Sequence, residues 1–184
     1  MADLLSRLAG EPRSLTEELS GRPQHLKLFV SSKMSGGTYT VERQGCASAV
    51  DGTGIARAWY WERDTSAGPY CAEGVCLGQA ASADGLILIL GDELTQMTRR
   101  EYEVAREREI PTFVFIDERL ALNVEAEEFV RAERAGPAVT KNFTNLSELK
   151  THVVDAIHTF GVQSWRRASH SKWSAGRGRS AGAP

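Results

Sequence analysis

Apolar residues along most of this chain come in short unbroken runs, and between the runs they recur at helical spacing. Leu26-Lys27-Leu28-Phe29-Val30 reads as a buried strand closed by Ser31-Ser32. Residues 55–61, rich in aromatic side chains, make a second strand after the turn signal Asp51-Gly52-Thr53-Gly54. Gly85-Leu86-Ile87-Leu88-Ile89-Leu90 has no polar alternation, as expected of a central parallel strand covered on both faces. Pro111-Thr112-Phe113-Val114-Phe115-Ile116 is a fourth strand, with proline acceptable as its first residue. Residues 138–143 form a short edge strand.

Helices are predicted between these strands. They cover residues 38–50 (interrupted by Gly45), 70–81, 98–109, 124–134 (broken by Gly136-Pro137) and 146–160. The last sets Leu146, Leu149, Val153, Ile157 and Phe160 on one face. In the helix from Thr98, Tyr102 and Ala105 are expected to pack inward, with Arg99, Arg100, Arg106 and Arg108 outward among acids.

Strand and helix alternate five times, the pattern of an α/β fold: a five-stranded parallel sheet with helices on both faces. The common strand order is the flavodoxin-like 2-1-3-4-5, whose crevice lies outside the carboxyl ends of strands 1 and 3. Here two loops would build it, residues 31–37 and 91–97, and the second leads directly into Thr98-Arg99-Arg100-Glu101. Residues 1–25 form an N-terminal extension in which Leu4, Leu5 and Leu8 suggest one short helix. Residues 26–161 form the domain, and residues 162–184, rich in Ser, Gly, Arg and Ala, read as a basic flexible tail.

Composition narrows the function classes. The chain has 184 residues, 41% of them hydrophobic, enough for a core without disulfides. No apolar run reaches membrane-spanning length and the N-terminus lacks a signal peptide, so a cytoplasmic location is expected. Of 22 basic residues 17 precede Val162, as do all 24 acidic ones, giving −7 there and +5 beyond. An acidic body argues against a dedicated nucleic-acid binder. Cys46, Cys71 and Cys76 lack metal-site spacing and read as buried or partly buried structural thiols; no metal is expected.

The crevice carries the candidate chemistry. Glu101 comes first, although Thr98-x-x-Glu101 also matches a capping box, in which the carboxylate turns back onto the helix start. Glu103 is turned about 200° from Glu101 on a helix, so only one of the two can face a given ligand. Ser31, Ser32 and Lys33 end strand 1 and could hold a phosphate or ribose, or simply shape a turn. Trp61, with Trp59 and Tyr60 at the end of strand 2, could stack on a ring or pack in the core. Asp92 and Thr98 flank the second loop as further binding candidates. No Gly-x-x-x-x-Gly-Lys-Ser/Thr, Gly-x-Gly-x-x-Gly or Gly-x-Ser-x-Gly occurs, which disfavours P-loop nucleotidases, ordinary NAD dehydrogenases and serine hydrolases.

Taken in order, Leu28-Phe29-Val30-Ser31-Ser32, Glu42-Arg43, Glu62, Ala83-Asp84-Gly85 with the strand that follows, Thr98-x-x-Glu101-Tyr102-x-x-Ala105 and Ile110-Pro111-Thr112 resemble prokaryotic TIR-like domains, long catalogued as a domain of unknown function. The wider superfamily includes TIR NAD hydrolases and nucleoside deoxyribosyltransferases. The resemblance implies a TIR-like α/β fold and cleavage of an N-glycosidic bond at ribose, with Glu101 as the catalytic carboxylate and NAD as substrate rather than a permanently bound cofactor. It also implies self-association or a partner signalling protein, in bacterial signalling or anti-phage immunity. This first loop, Lys33-Met34-Ser35-Gly36-Gly37, lacks the bulky residue and acid common in the family. Two other readings stay open: a non-catalytic module that binds a nucleotide signal or a partner domain, and a nucleoside deoxyribosyltransferase-like enzyme.

Overall fold

The computed structural model describes residues 25–69, 71–136 and 140–177. Five strands, β1 Leu26–Ser32, β2 Ala56–Trp59, β3 Gly85–Leu90, β4 Thr112–Asp117 and β5 Thr140–Phe143, form one parallel sheet in the order β2-β1-β3-β4-β5. The helices are α1 Thr40–Gly52, α2 Trp61–Asp64, α3 Ala72–Ala81, α4 Gln96–Glu107, α5 Val124–Ala135 and α6 Leu146–Arg177. The α/β class and the strand order are those read from the sequence.

The unbroken apolar runs have a direct cause. Every residue of β3 is buried because helices cover both sides of the sheet. On one side Leu28, Val30, Ile87 and Ile89 meet Cys46, Ala47 and Val50 of α1 and Leu149, Val153 and Ile157 of α6. On the other Phe29, Leu86, Leu88 and Leu90 meet Cys76 and Ala80 of α3, Tyr102 and Ala105 of α4 and Ala126 and Val130 of α5. Gly45, which weakens helix propensity, lies where α1 and α6 approach closely: a Cβ there would stand 2.5 Å from Leu146 Cδ1, and the Leu146 side chain would have to move.

Several boundaries differ from the sequence reading. The helix assigned to residues 38–50 begins at Thr40, after a short 3-10 turn at Ser35–Gly37. Tyr39 precedes it with φ 63°, the left-handed region. Strand β2 stops at Trp59, since Trp61 and Glu62 turn into α2, where Asp64 Oδ2 accepts from the Tyr60 N–H at 2.9 Å. Trp61 is therefore a helical residue, not a strand end. Helix α4 starts at Gln96 rather than Thr98. Cys71 is exposed, while Cys46 and Cys76 are buried as expected.

Past Gly161, where composition suggested an irregular tail, α6 continues to Arg177. A helix already anchored by packing extends by one hydrogen bond per residue, and one interior glycine costs only about 1 kcal/mol. The helix expected near the N-terminus and the last seven residues lie outside the described residues. Among the described residues no helix is long and apolar enough to cross a membrane.

Candidate functional site

The period-2 alternation of β1 divides its last two residues between the two sides of the sheet. Ser31 points toward α4 and donates its hydroxyl to Glu101 Oε2 at 2.5 Å. Ser32 points toward α1 and accepts from Arg43 at 2.6 Å. Two consecutive serines thus reach two different charged side chains, both nearly fully buried: Glu101 is 4% exposed and Arg43 2%.

Glu101 is buried because it lies on the packing stripe of α4. Thr98, Glu101, Tyr102 and Ala105 follow the i, i+3, i+4, i+7 spacing of a helix face, and all four are buried. A carboxylate occupies a position where an apolar residue would serve the core better. Glu103 is exposed, as the angular argument required.

The capping-box reading of Glu101 does not hold. Thr95 caps α4, its hydroxyl accepting from the Thr98 N–H at 3.2 Å, and the two threonine hydroxyls lie 2.9 Å apart. The helix begins one turn earlier than the Thr-x-x-Glu spacing suggested. Glu101 therefore sits inside the helix, with its side chain on Ser31 rather than on the helix start. Thr98 is buried and held by Thr95, outside the lining of the Glu101 crevice.

Burial pushes the Glu101 carboxyl up to about 7 from 4.5. The Ser31 hydroxyl, the Cys76 thiol and the nearby Arg43 charge each pull it down, but less strongly. The Cys76 thiol is itself pushed up to about 12, chiefly by burial and then by the Glu101 charge. Cys76 therefore stays a protonated thiol beside the carboxylate.

Arg43 has a structural task. Its Nε donates to Glu62 Oε2 at 3.1 Å and a terminal nitrogen donates to Glu62 Oε1. The remaining N–H groups reach Ser32, the carbonyls of Lys33 (3.0 Å) and Thr38 (3.1 Å), and Thr40 Oγ1 (3.3 Å). The guanidinium thereby pins both ends of the loop after β1 and ties α2 to it. With its donors in use, it is not poised to grip an anion.

The crevice so built is lined by Ser31, Ser32, Met34, Arg43, Trp59, Trp61, Cys76 and Glu101 over the β1 backbone and is nearly filled, with ≈ 10 Å3 of free interior space. Trp59 stacks on Phe29, ring centroids 5.2 Å apart. Four of the predicted site residues, Glu101, Ser31, Ser32 and Trp61, come together here. Lys33 and Asp92 meet instead at 3.1 Å between the two loops, with Glu93 at 2.9 Å from the same ammonium.

The site assignments drawn from the sequence missed Cys76, Met34 and the joint role of Arg43 and Glu62. The signal for the pair was present, since both belong to the motif series; the signal for Cys76, one small apolar residue in a helix, was not. Among the described residues no cluster of His, Cys, Asp and Glu could hold a metal ion.

Comparison with known proteins adds the following. No curated protein matches the chain. Among solved structures, the metal-soaked Flv1 flavodiiron core from Synechocystis sp. PCC6803 superposes with a TM-score of 0.46 at 11% identity. The superposition covers 78% of this chain and 39% of that one, so the chain spans about two fifths of that neighbour. Residues 27–169 match a family described as a domain of unknown function (DUF4062). That match takes in the whole sheet, the Glu101 crevice and most of α6, and the chain belongs to the DUF4062 family.

Proposed function

We propose that this protein is a TIR-like nucleotide-processing enzyme that cleaves an N-glycosidic bond at ribose, with NAD as substrate and Glu101 as the catalytic carboxylate. One observation carries the reading: a buried carboxylate without a cationic partner in contact, held by the Ser31 hydroxyl in the switch-point crevice of a doubly wound sheet. Such a group destabilises the fold, so a chemical use is the better account of its place.

The chemistry fits one carboxylate. Breaking the bond between ribose and nicotinamide develops positive charge on the sugar, which a fixed anion stabilises or captures. Nicotinamide leaves NAD as a neutral molecule, so no general acid is needed. The Ser31 hydroxyl fixes the direction of the carboxylate. Trp61 and Trp59 offer flat apolar surface to a ring. The ordered series from Ser31-Ser32 to Thr98-x-x-Glu101 supports the TIR-like assignment, and with it self-association or a partner in bacterial signalling or immunity.

A second reading, a binding or assembly module without catalysis, draws on the size of the crevice. With ≈ 10 Å3 of free interior space it is far smaller than the roughly 300–1,000 Å3 usual for ligand pockets. A whole dinucleotide needs the crevice to open.

The test is incubation of the purified protein, concentrated and crowded, with NAD. Nicotinamide release that Glu101→Gln abolishes is the expected result. Release undiminished in the variant overturns the assignment of Glu101. Absence of release from the wild type favours the binding module, and base exchange between nucleosides without loss of NAD favours a deoxyribosyltransferase.

A further inference from the structure

The loops that follow β1 and β3 are joined by one cation. Lys33, directly after β1, places its ammonium 3.1 Å from Asp92 Oδ2, 3.2 Å from Asp92 Oδ1 and 2.9 Å from Glu93 Oε1, both acids following β3. The lysine side chain is 17% exposed, against 44% and 41% for its partners. Two carboxylates on one ammonium leave the latch with a net negative charge. Surface ion pairs of this kind hold weakly, so competition can release them.

Other cationic or hydroxyl groups near the crevice are committed. Ser31 donates to Glu101, Ser32 accepts from Arg43, and the Arg43 donors are taken by Glu62, Ser32, Thr40 and two carbonyls. Arg119, at the end of β4, is taken by Asp117 and Glu42. Lys33 is held only by acids that are themselves half exposed. It stands two residues beyond Ser31, whose hydroxyl holds Glu101.

Resting on the reading of Glu101 given above, we infer that Lys33 receives the ligand's phosphate, held in reserve by Asp92 and Glu93, so that the site takes phosphate-bearing nucleotides in preference to unphosphorylated nucleosides. An anionic phosphate group replaces the two carboxylates on Lys33 and frees the loop after β3 from the loop after β1. Binding and opening are then one event, because the ligand draws on contacts available only when the latch is broken. A nucleoside without a phosphate has nothing to offer Lys33 and meets the crevice closed. The cation and its two acids consequently act in opposite senses on affinity.

The experiment measures calorimetric affinity for nicotinamide mononucleotide and for nicotinamide riboside in the wild type, in Lys33→Met and in the double variant Asp92→Asn/Glu93→Gln, each first shown by thermal unfolding to be folded. For the mononucleotide, Lys33→Met is expected to weaken binding at least tenfold, and the double variant to strengthen it about threefold or more. The riboside, which has no phosphate for Lys33, holds or gains affinity in both variants, since each breaks the latch. Mononucleotide affinities that are equal in all three proteins, that shift in the same direction in both variants, or that are too weak to detect in the wild type overturn the inference. So does a riboside that weakens in Lys33→Met as the mononucleotide does. Nicotinamide release is recorded separately: its absence overturns the catalytic reading of Glu101 and leaves the opposed affinity shifts to decide the latch.

Discussion

Glu101 determines most of what can be asked of this protein at the scale of single residues. Its carboxyl stands at about 7 in the fold against 4.5 when free, with burial as the main cause. Between those values the folded protein keeps a proton that the unfolded chain has lost. Stability is therefore full below about pH 4.5 and falls as pH rises through 7, a loss of about 3 kcal/mol if this group acts alone. Glu101→Gln keeps the shape and an acceptor for Ser31 but carries no charge to bury. Urea denaturation is expected to show the variant more stable than the wild type at pH 8, by up to about 3 kcal/mol, with the difference shrinking toward pH 4.5. A variant less stable than the wild type at pH 8 would mean that the ionised carboxylate holds the fold together, and the argument for a functional carboxylate would lose its footing.

Helix α4 decides where that carboxylate stands, and Thr95 decides where α4 starts. Thr95→Ala removes the side-chain acceptor for the Thr98 N–H and is expected to cost about 1 kcal/mol in thermal or urea unfolding, with Thr95→Ser close to wild type. Equal stability of the alanine variant would place the cap elsewhere. This element also marks how far the sequence could be read. The amphipathic stripe Thr98, Glu101, Tyr102, Ala105 was visible in the letters, and it placed Tyr102 and Ala105 in the core. The start of the helix was not, because Thr95-x-x-Thr98 and Thr98-x-x-Glu101 both satisfy a spacing rule, and only the tertiary pull of Ser31 on Glu101 separates them. Similarly, β2 was read two residues too long, since aromatic residues favour strands and nothing local shows that Asp64 folds back to Tyr60. The central strands were read with ease because a strand covered on both faces must be apolar throughout.

At the scale of the whole molecule, the carboxyl edge of the sheet is tied together by polar side chains rather than by core packing. Arg43 ties the loop after β1 to α2, Lys33 ties it to the loop after β3, and Tyr39 donates to Asp117 of β4 at 3.1 Å. Tyr39 is a non-glycine residue at positive φ, a conformation that costs roughly 1–3 kcal/mol. Its ring fits because residue 91 is glycine: a Cβ there would fall 2.0 Å from the Tyr39 hydroxyl. Gly91→Ala is expected to displace the ring from Asp117 and destabilise the protein by about 1–3 kcal/mol, seen as a fall in Tm, since overpacking at a buried contact costs about that much. An unchanged Tm would show that the edge adapts freely. The order β2-β1-β3-β4-β5 places this edge at the switch point, so the fold led to the crevice before any motif did. The latch could not be read, because it pairs residues 59 positions apart in the sequence, while Arg43 and Glu62 stood in the motif series with nothing to show that they touch.

The most direct test of the account is the rate of nicotinamide release from NAD between pH 5 and pH 9, with wild type and Glu101→Gln side by side at substrate well below KM, where the rate follows kcat/KM. An ionised carboxylate predicts a wild-type rate that climbs about tenfold per pH unit below 7 and levels above it, with the variant near background throughout although it is folded. A variant that matches the wild type, or a wild-type rate that falls as pH rises through 7, would contradict it.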